Sequence, residues 1–332
     1  MDVKYRIKLG LLLLCFPFFT LAKQPIIIDT DLGQDDWAAI AYLMNQSQID
    51  IKAITIEGSG ETDCQHGVPN LKKVLQYWHR TNIPIACNGT LGLYKTKFPV
   101  SWRNPGSRYF SQLNTKNPSP VTIVPNPAGL INSILKKSSQ PVTIIAIGPL
   151  MNLLQASRLN RKLWLQKVKA IYFTGGNFTY QPGEVAKYYP KTKNIGRSWN
   201  LFITPYAGSQ VFKLPLNLTF NSTQTENQLN PNDTLFNAVS KLNSEDRLNK
   251  YSHVAFATQQ KDNNFWGDAL TAVIFIHPNV CQYRRVNIII LYKTFLISGV
   301  SKITSHGKPI SYCNQLYMNA FINSFVRGII RD

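Results

Sequence analysis

Four aspartates lie within eight residues near the start of the chain, directly after three consecutive isoleucines. They are Asp29, Asp31, Asp35 and Asp36, in the stretch PIIIDTDLGQDDWAAIAYLM at 25–44. Carboxylates this close repel one another unless a cation or a helix N-terminus compensates their charge. A helix cap accounts for Asp35 or Asp36 but leaves Asp29 and Asp31 unexplained. Flexible carboxylates suit Ca²⁺, or Mg²⁺ where the geometry is stricter, so the cluster predicts a divalent metal site.

The residues around this cluster alternate between strand and helix patterns. Apolar runs of strand length occupy 26–29, 49–56, 83–87, 141–148 and 168–176. Apolar residues at helical spacing separate these runs, at 35–45, at 70–78 and from Leu150 onward. The run 141–148 is apolar on both faces, which is typical of a central parallel strand. The alternation therefore predicts an α/β fold, a single domain with a mostly parallel central sheet flanked by helices.

The order of these elements places the aspartates at the ligand-binding edge of the sheet. Ligands bind beyond the carboxyl ends of parallel strands, where loops enter helices, and residues 29–36 lie at such a junction. The Pro- and Asn-rich stretch 97–127 is expected to be a surface excursion followed by a helix. No repeat, low-complexity tract or linker divides the chain further, so we predict one catalytic domain over residues 23–332.

The first 22 residues have the pattern of a secretory signal peptide. Lys4, Arg6 and Lys8 precede the apolar run LGLLLLCFPFFTLA, which ends at Ala22. The run is shorter than the ~20 apolar residues that a membrane-spanning helix needs. We therefore predict an exported, periplasmic or secreted protein that has no membrane span once residues 1–22 are removed.

Four cysteines remain after this segment, at positions 64, 87, 281 and 313. An oxidising compartment permits disulfides, and four cysteines allow three connectivities. Cys64 and Cys87 follow neighbouring candidate strands on the same side of the sheet, so we predict that they pair. No CxxC motif and no His/Cys cluster has the spacing of a zinc site.

The chain is strongly basic, with 36 Lys and Arg residues against 17 Asp and Glu residues. A net charge of +19 attracts anionic surfaces in general and carries no information about the fold. The basic residues are scattered, without a basic helix or an RNA-binding aromatic signature, so no nucleic-acid partner is expected. No GxSxG, GK[ST] or GxGxxG motif supports a serine hydrolase or a nucleotide-cofactor enzyme.

The aspartate motif resembles the signature of a known enzyme family. Residues 29–39, DTDLGQDDWAA, are similar to the DTDxGxDDxxA motif of inosine-uridine preferring nucleoside hydrolases. Other family-like segments are GSGETDCQHGVPN at 58–70, AIGPLMN at 146–152, FTGGN at 173–177, SWNLFITPYAG at 198–208 and WGDALTA at 266–272. The resemblance implies a nucleoside hydrolase-like, Rossmann-like fold that hydrolyses the N-glycosidic bond of ribonucleosides with one bound Ca²⁺. It also implies a small-molecule nucleoside as partner and a possible homo-oligomer.

The same resemblance gives roles to individual residues. Asp31 would be the catalytic general base and a calcium neighbour. The other metal ligands would be the carboxylates of Asp36 and Asp268 and the backbone carbonyl of Ile147, while Asp29 would support Asp31 from the second shell. Substrate contacts would come from Asp35, Glu61, Asn177 and Asn200. These roles suit the chemistry, because breaking a ribosyl C–N bond needs an activated water and anchored hydroxyls.

Three positions depart from the family pattern. Ser198 stands where a Glu usually binds the 5′-hydroxyl, and Thr204 replaces the Asp of the family's DP pair. Gly267 stands where the best-known members have a His that protonates the leaving base. His253 and Tyr251 are candidate replacement acids.

These departures keep two other functions open. One is a ligand-binding relative with reduced or lost turnover, which Gly267 and Ser198 favour and the intact aspartate cluster opposes. The other is a metal-dependent phosphatase, because a strand ending in Asp-x-Asp also begins the haloacid-dehalogenase site. That family wants Thr or Val where this chain has Gly33. An assay separates the three hypotheses: a nucleoside hydrolase releases base and ribose, a ligand-binding relative binds without product, and a phosphatase releases phosphate. The base preference stays open.

Overall fold

The structure, a computed structural model, describes residues 22–106, 109–110, 113, 119–179, 185–192, 196–229, 232–261 and 263–330, without the side chains of 104–106. Apart from residue 22, the predicted signal peptide lies outside the described residues. Within them, no helix is both long and apolar enough to cross a membrane.

The described residues form one ten-stranded sheet. Its strands are β1 Gln24–Thr30, β2 Ile49–Glu57, β3 Ile85–Asn88, β4 Ile123–Val124, β5 Val142–Ala146, β6 Val168–Thr174, β7 Asn217–Asn221, β8 Cys281–Ile290, β9 Ser301–Ile303 and β10 Lys308–Leu316. Their order across the sheet is β4-β3-β2-β1-β5-β6-β7-β10-β8-β9. All neighbours from β4 to β10 pair in parallel, and β8 is antiparallel to both β10 and β9. The predicted α/β fold with a mostly parallel sheet is confirmed.

Helices cover both faces of this sheet. They are α1 Gln34–Met44, α2 Cys64–Tyr77, α3 Val100–Gly106, α4 Pro127–Lys137, α5 Met151–Leu159, α6 Arg161–Lys167, α7 Val185–Tyr188, α8 Trp199–Ile203, α9 Pro205–Val211, α10 Thr223–Leu229, α11 Asp233–Ser244, α12 Lys250–Phe256, α13 Gly267–Ile276 and α14 Met318–Ile329. Alternate isoleucines of β1 point to opposite faces. Ile26 and Ile28 share a core with α1 and α13, whereas Ile27 shares one with α4 and α5. Strand β1 is therefore apolar on both sides, as a central parallel strand should be.

Helix α2 begins earlier than the sequence predicts. It starts at Cys64, whereas the apolar pattern indicates a start at residue 70. Asp63 caps the helix, because its side chain accepts a hydrogen bond from the His66 backbone N–H at 3.0 Å. This cap provides a partner for a backbone N–H in the first turn of α2, and the sequence of that turn has little apolar pattern of its own.

The described part of the stretch 97–127 lies largely at the surface, as predicted, but it also has secondary structure and buried contacts that the prediction did not include. It contains α3 and β4, and Phe98 is buried within it. The ring of Phe110 packs edge-on against Trp37 of α1, with 4.6 Å between ring centroids. Aromatic packing of this kind brings the stretch onto the helix that begins at the aspartate cluster. The predicted following helix is confirmed as α4.

Two disulfides pair the four cysteines. Cys64 is bonded to Cys87, which confirms the predicted pair, and Cys281 is bonded to Cys313. The first bond joins the start of α2 to β3, and the second joins β8 to β10. The Cys64–Cys87 bond therefore ties the loop that follows β2 to the neighbouring strand.

Candidate active site

A cluster of carboxylates lies where β1 and α1 meet. Asp31 is in the turn after β1, and Asp35 and Asp36 are in the first turn of α1. Asp268 comes from the first turn of α13, a helix that packs against α1. Asp35, Asp36 and Asp268 each place one carboxylate oxygen within 4.8 Å of the others. The fold thus brings together aspartates that are far apart in sequence.

Asp36 is held by the turn in which it lies. Its Oδ1 accepts hydrogen bonds from the Thr30 hydroxyl and, at 3.2 Å, from the Asp31 N–H. Its Oδ2 accepts one from the Gly33 N–H at 2.9 Å. The capping hypothesis is therefore correct for Asp36. Capping and metal ligation are compatible, since each carboxylate oxygen has more than one lone pair.

Asp31 lies in a cradle formed by two glycines. Its Oδ2 accepts a hydrogen bond from the Glu61 N–H at 2.9 Å. A Cβ on Gly60 would come within 2.1 Å of Oδ2, and one on Gly148 within 3.1 Å of Oδ1. The backbone reaches the Asp31 carboxylate this closely only because Gly60 has no side chain.

Asp29 is fully buried at the end of β1 and outside the three-carboxylate cluster. Its Oδ1 accepts hydrogen bonds from the Thr55 hydroxyl at 2.5 Å and from Asn152 Nδ2 at 2.9 Å. Asn152 belongs to the AIGPLMN segment, so this segment contacts the aspartate motif directly. Burial raises the pKa of Asp29 to about 7, against the opposing effect of these hydrogen bonds.

Burial also dominates the electrostatics of the cluster. It raises the pKa of Asp36 to about 6, and the charge of Asp35 adds to the increase. The pKa values of Asp31 and Asp268 are raised well above the usual range, by burial first and by neighbouring carboxylates second. A divalent cation relieves such repulsion, so this all-oxygen set of donors fits a metal ion such as Ca²⁺.

The carboxyl group of Glu61, from the loop after β2, lies beside the start of α1. A Cβ on Gly33 would come within 2.6 Å of Glu61 Oε2 and within 3.1 Å of Asp36 Oδ2. Burial raises the pKa of Glu61 well above its usual range, Asp35 and Asp36 raise it further, and the Arg103 charge lowers it. The structure therefore brings Glu61 to the cluster, as expected, with a cation nearby.

Asn200 binds the backbone beside the cluster. Its Nδ2 donates hydrogen bonds to the carbonyls of Ile147 and Thr174, both at 3.1 Å. The Ile147 carbonyl keeps a second lone pair for another partner. Asn177 is buried in the turn after β6, where its Oδ1 accepts a hydrogen bond from the Thr179 N–H at 3.3 Å. Both asparagines therefore lie at the carboxyl-end edge of the sheet, where the resemblance places them.

Ser198 and Thr204, which stand where the family pattern has Glu and Asp, both make hydrogen bonds that hold the backbone. The Ser198 hydroxyl accepts a hydrogen bond from the Gly176 N–H at 2.9 Å, which holds the turn after β6. The Thr204 hydroxyl accepts one from the Leu150 N–H at 2.9 Å and donates to the Asn200 carbonyl at 3.3 Å. The Ser198 hydroxyl therefore braces the turn that carries Asn177, and the Thr204 hydroxyl braces the short helix α8 that carries Asn200.

Neither candidate replacement acid lies at the cluster. The Tyr251 hydroxyl accepts a hydrogen bond from Arg80 Nε at 2.9 Å, and Arg80 Nη2 donates to the carbonyl of Met44 at 3.4 Å. Met44 is the last residue of α1, whereas the cluster is at the first turn. His253 is exposed and pairs with Asn243 Oδ1 at 2.7 Å. Tyr251 is therefore at the opposite end of α1, about 15 Å along its axis.

Two residues near the cluster were missed by the sequence reasoning. Burial raises the pKa of Tyr109, and the charges of Glu61 and Asp35 raise it further, which places the phenol near these carboxylates. Glu226 of α10 borders Gly267, the residue before Asp268. No local signal marks either residue, because both reach the site through long-range packing.

The fold and the site define an α/β enzyme whose ligand site lies at the carboxyl ends of parallel strands and is lined by buried carboxylates. A family model described as "Inosine-uridine preferring nucleoside hydrolase" matches residues 26–321. The chain therefore belongs to the inosine-uridine preferring nucleoside hydrolase family, whose members are N-glycosyl hydrolases.

Named relatives and solved structures agree with this assignment. The chain is 25% identical over 222 residues to the pyrimidine-specific ribonucleoside hydrolase RihA of Photobacterium profundum, covering 67% of each chain. It is 30% identical over 133 residues to the non-specific ribonucleoside hydrolase RihC of an Escherichia coli strain, covering 40% of this chain and 42% of the relative. The inosine-uridine preferring nucleoside hydrolase structure from Bacillus anthracis has a TM-score of 0.78 at 18% identity, over 92% of this chain and 98% of that one. A plant nucleoside hydrolase structure has a TM-score of 0.77 at 17% identity, over 93% and 99%.

Proposed function

We propose that this protein hydrolyses the N-glycosidic bond of ribonucleosides in a calcium-dependent reaction that releases free base and ribose. The observation that carries the proposal is the cluster of Asp35, which is half-buried, with Asp36 and Asp268, which are buried, at the ligand-binding edge of the sheet, in a chain that belongs to this family. One relative is named for pyrimidine ribonucleosides and another is named non-specific, so the base preference is left out of the proposal.

Asp31, Asp36 and Asp268 would hold the ion together with the carbonyl of Ile147. The support for this is an all-oxygen donor set whose carboxylates are buried and raise one another's pKa. When bound, Ca²⁺ supplies a water of lowered pKa and a fixed point for neighbouring ribose hydroxyls.

Asp31 is the proposed general base. Its Oδ2 is anchored by the Glu61 N–H, and the absence of a side chain at Gly60 leaves the carboxylate room beside the loop. Asp31 takes a proton from the attacking water while the ribosyl C–N bond breaks. Asp29, fixed by Thr55 and Asn152, holds the strand end that carries Asp31.

The proposed substrate contacts are Asp35, Glu61, Asn177 and Asn200. Carboxylates accept hydrogen bonds from ribose hydroxyls, and the asparagine amides both donate and accept. Bonds of this kind orient the sugar over the attacking water, which lowers the entropic part of the barrier. Ser198 is outside this set, since its hydroxyl is engaged by the turn after β6.

The test is an assay of the mature protein with inosine, uridine and 5′-nucleotides, in Ca²⁺ and in EGTA. We expect free base and reducing sugar from at least one nucleoside in Ca²⁺, none in EGTA, and no phosphate from the nucleotides. Nucleoside binding without product would support the ligand-binding alternative, which the Ser198 and Gly267 departures favour. Released phosphate would support the phosphatase alternative.

We also propose that the protein is exported and that its mature chain begins near Lys23. The support is the signal-peptide pattern of residues 1–22 and the pairing of all four remaining cysteines, which is typical of oxidising compartments. N-terminal sequencing of periplasmic or secreted material tests the proposal, and material that still begins at Met1 contradicts it. A homo-oligomer stays a prediction that light scattering can check.

A further inference from the structure

Glu226 has a buried carboxylate oxygen for which the described residues offer no hydrogen bond. The residue lies in α10, and its backbone N–H donates to the Ser222 carbonyl at 3.0 Å. Its Oε1 is buried without a partner, although part of the side chain reaches solvent. Leaving a buried polar atom unpaired is costly, so Glu226 Oε1 calls for a partner such as a water, an ion or a ligand atom.

Glu226 is also placed at the edge of the carboxylate cluster. A Cβ on Gly267 would come within 3.1 Å of Asp35 Oδ2 and within 3.2 Å of Glu226 Cγ. Asp35 and Glu226 therefore flank Gly267. The Gly267 carbonyl accepts a hydrogen bond from Asn221 Nδ2 at 2.6 Å, which ties the start of α13 to the end of β7, just before Glu226. A Cβ at position 267 would press on the Glu226 side chain, which would have to move by a few tenths of an ångström, so the absence of a side chain at Gly267 gives Glu226 room beside the cluster.

The raised pKa of Glu226 suits a group that donates a proton. Burial raises its pKa to about 8, and the charge of Asp35 adds to the increase. A raised pKa favours the protonated carboxyl, whose O–H can donate, whereas an ionised carboxylate can only accept hydrogen bonds.

We propose that Glu226 is a catalytic residue that contacts the leaving base and donates a proton to it, beside the position where Gly267 has no side chain. The proposal rests on the nucleoside hydrolase function given above. It is carried by the unpaired Oε1 and by the contact of Glu226 with Gly267 at the edge of the cluster. Neither Tyr251 nor His253 competes for this role, since both lie away from the site.

The proton balance of the step is complete. The bond between ribose C1′ and the base nitrogen breaks, and its electron pair goes to the base, which takes the proton of Glu226. The oxygen of the attacking water bonds to C1′, and Asp31 takes the proton that this water loses. Glu226 is left ionised and Asp31 protonated, and proton exchange with solvent restores both. One water is consumed for each base and ribose released.

The experiment compares two leaving groups in wild type and in Glu226→Gln. A nucleoside needs a proton on its departing base, whereas 4-nitrophenyl β-D-ribofuranoside releases an anion that is stable without one. We expect the variant to lose about 10²–10⁴-fold in kcat on the nucleoside and to keep kcat on the 4-nitrophenyl riboside within about threefold. The Gln side chain has nearly the same size and is uncharged like the protonated Glu226, so folding is expected to be kept; thermal melting checks this.

Glu245→Gln is the matched control. Glu245 is at the end of α11, where it bonds the exposed Arg247 at 3.2 Å, so the same chemical change there should leave both activities unchanged. Equal nucleoside turnover in wild type and Glu226→Gln would overturn the inference, and so would an equal loss on both substrates. A wild type that releases no base from any nucleoside contradicts the proposed function itself, which is a distinct outcome.

Discussion

Burial sets the protonation of the acidic residues of the site, even where hydrogen bonds oppose it. The hydroxyls of Thr55 and Thr30 lower the pKa values of Asp29 and Asp36, yet these values remain raised to about 7 and about 6. A carboxyl group whose folded pKa exceeds its unfolded pKa binds more protons in the folded state. Its contribution to the free energy of unfolding therefore decreases as pH rises between the two pKa values.

Asp29 provides a test of this effect, because its pKa is raised from 3.8 to about 7. With a chelator present, the free energy of unfolding should decrease as pH rises from about 4 to about 7. Asp29→Asn should make this decrease smaller, because its side chain does not ionise. Urea unfolding at several pH values measures the slope, with Asp233→Asn on the exposed start of α11 as control. Equal slopes in wild type and Asp29→Asn would show that Asp29 does not cause the dependence.

The Asp31→Asn variant separates the proposed role of Asp31 as general base from its proposed role as metal ligand. The variant keeps the side-chain size and one oxygen ligand, but it has no basic carboxylate to take a proton from water. We expect kcat on a nucleoside to decrease by about 10²–10⁴-fold at saturating Ca²⁺, with a smaller change in nucleoside affinity. Asp29→Asn, which alters a residue outside the cluster, should cost less in kcat. If Asp31→Asn retains wild-type turnover, another group activates the water.

At the scale of elements, the strands that lead into the site are those the sequence predicts best. Strands β1, β2, β5 and β6 are central and largely apolar, so their pattern is strong and their order follows from the alternation with helices. The start of α2 was missed because Asp63 caps a first turn with little apolar pattern. Tyr109 and Glu226 were missed for another reason: each reaches the site through tertiary packing, which no local pattern records.

The Cys64–Cys87 bond supports the loop that brings Glu61 to the cluster. The loop also contacts the aspartate turn directly, through the Thr62 N–H and the Asp31 carbonyl at 3.0 Å. Replacing both cysteines by serine removes a crosslink that closes a loop of moderate length, which we expect to cost about 3 kcal/mol of stability. Nucleoside KM should rise as well, because the Glu61 loop is no longer fixed; steady-state kinetics below the melting temperature measure this.

Leu135→Ala is the control for that experiment. Leu135 is buried on α4, in the core of the opposite face, so its truncation should cost about 2–5 kcal/mol without touching the loop. We expect Leu135→Ala to lower the melting temperature and leave KM unchanged. A KM increase of the same size in both variants would mean that general destabilisation, rather than the loop, causes the effect.

At the scale of the whole molecule, a basic protein concentrates its acidic residues at one site. Eight of its 17 acidic residues lie in or next to this site. They are Asp29, Asp31, Asp35, Asp36, Glu57, Glu61, Glu226 and Asp268. Burying so many carboxyl groups together costs free energy, which the proposed cation would offset. The charge distribution therefore predicts that the stability of the fold depends on the proposed ion.

Ca²⁺ should stabilise the folded protein at neutral pH. An ion that binds only the folded state adds ~2.7 kcal/mol when its free concentration is about 100 times its dissociation constant. Thermal melting of EGTA-treated protein at pH 7, with and without Ca²⁺, should therefore show an increase of several degrees. Asp268→Asn removes one ionisable carboxyl from the three-carboxylate cluster. The variant should melt higher than wild type in EGTA, because less repulsion remains, and should gain less from Ca²⁺. Asp233→Asn, outside the site, should respond to Ca²⁺ as wild type does. A melting temperature that Ca²⁺ leaves unchanged in wild type would contradict the assignment of Ca²⁺ to this site.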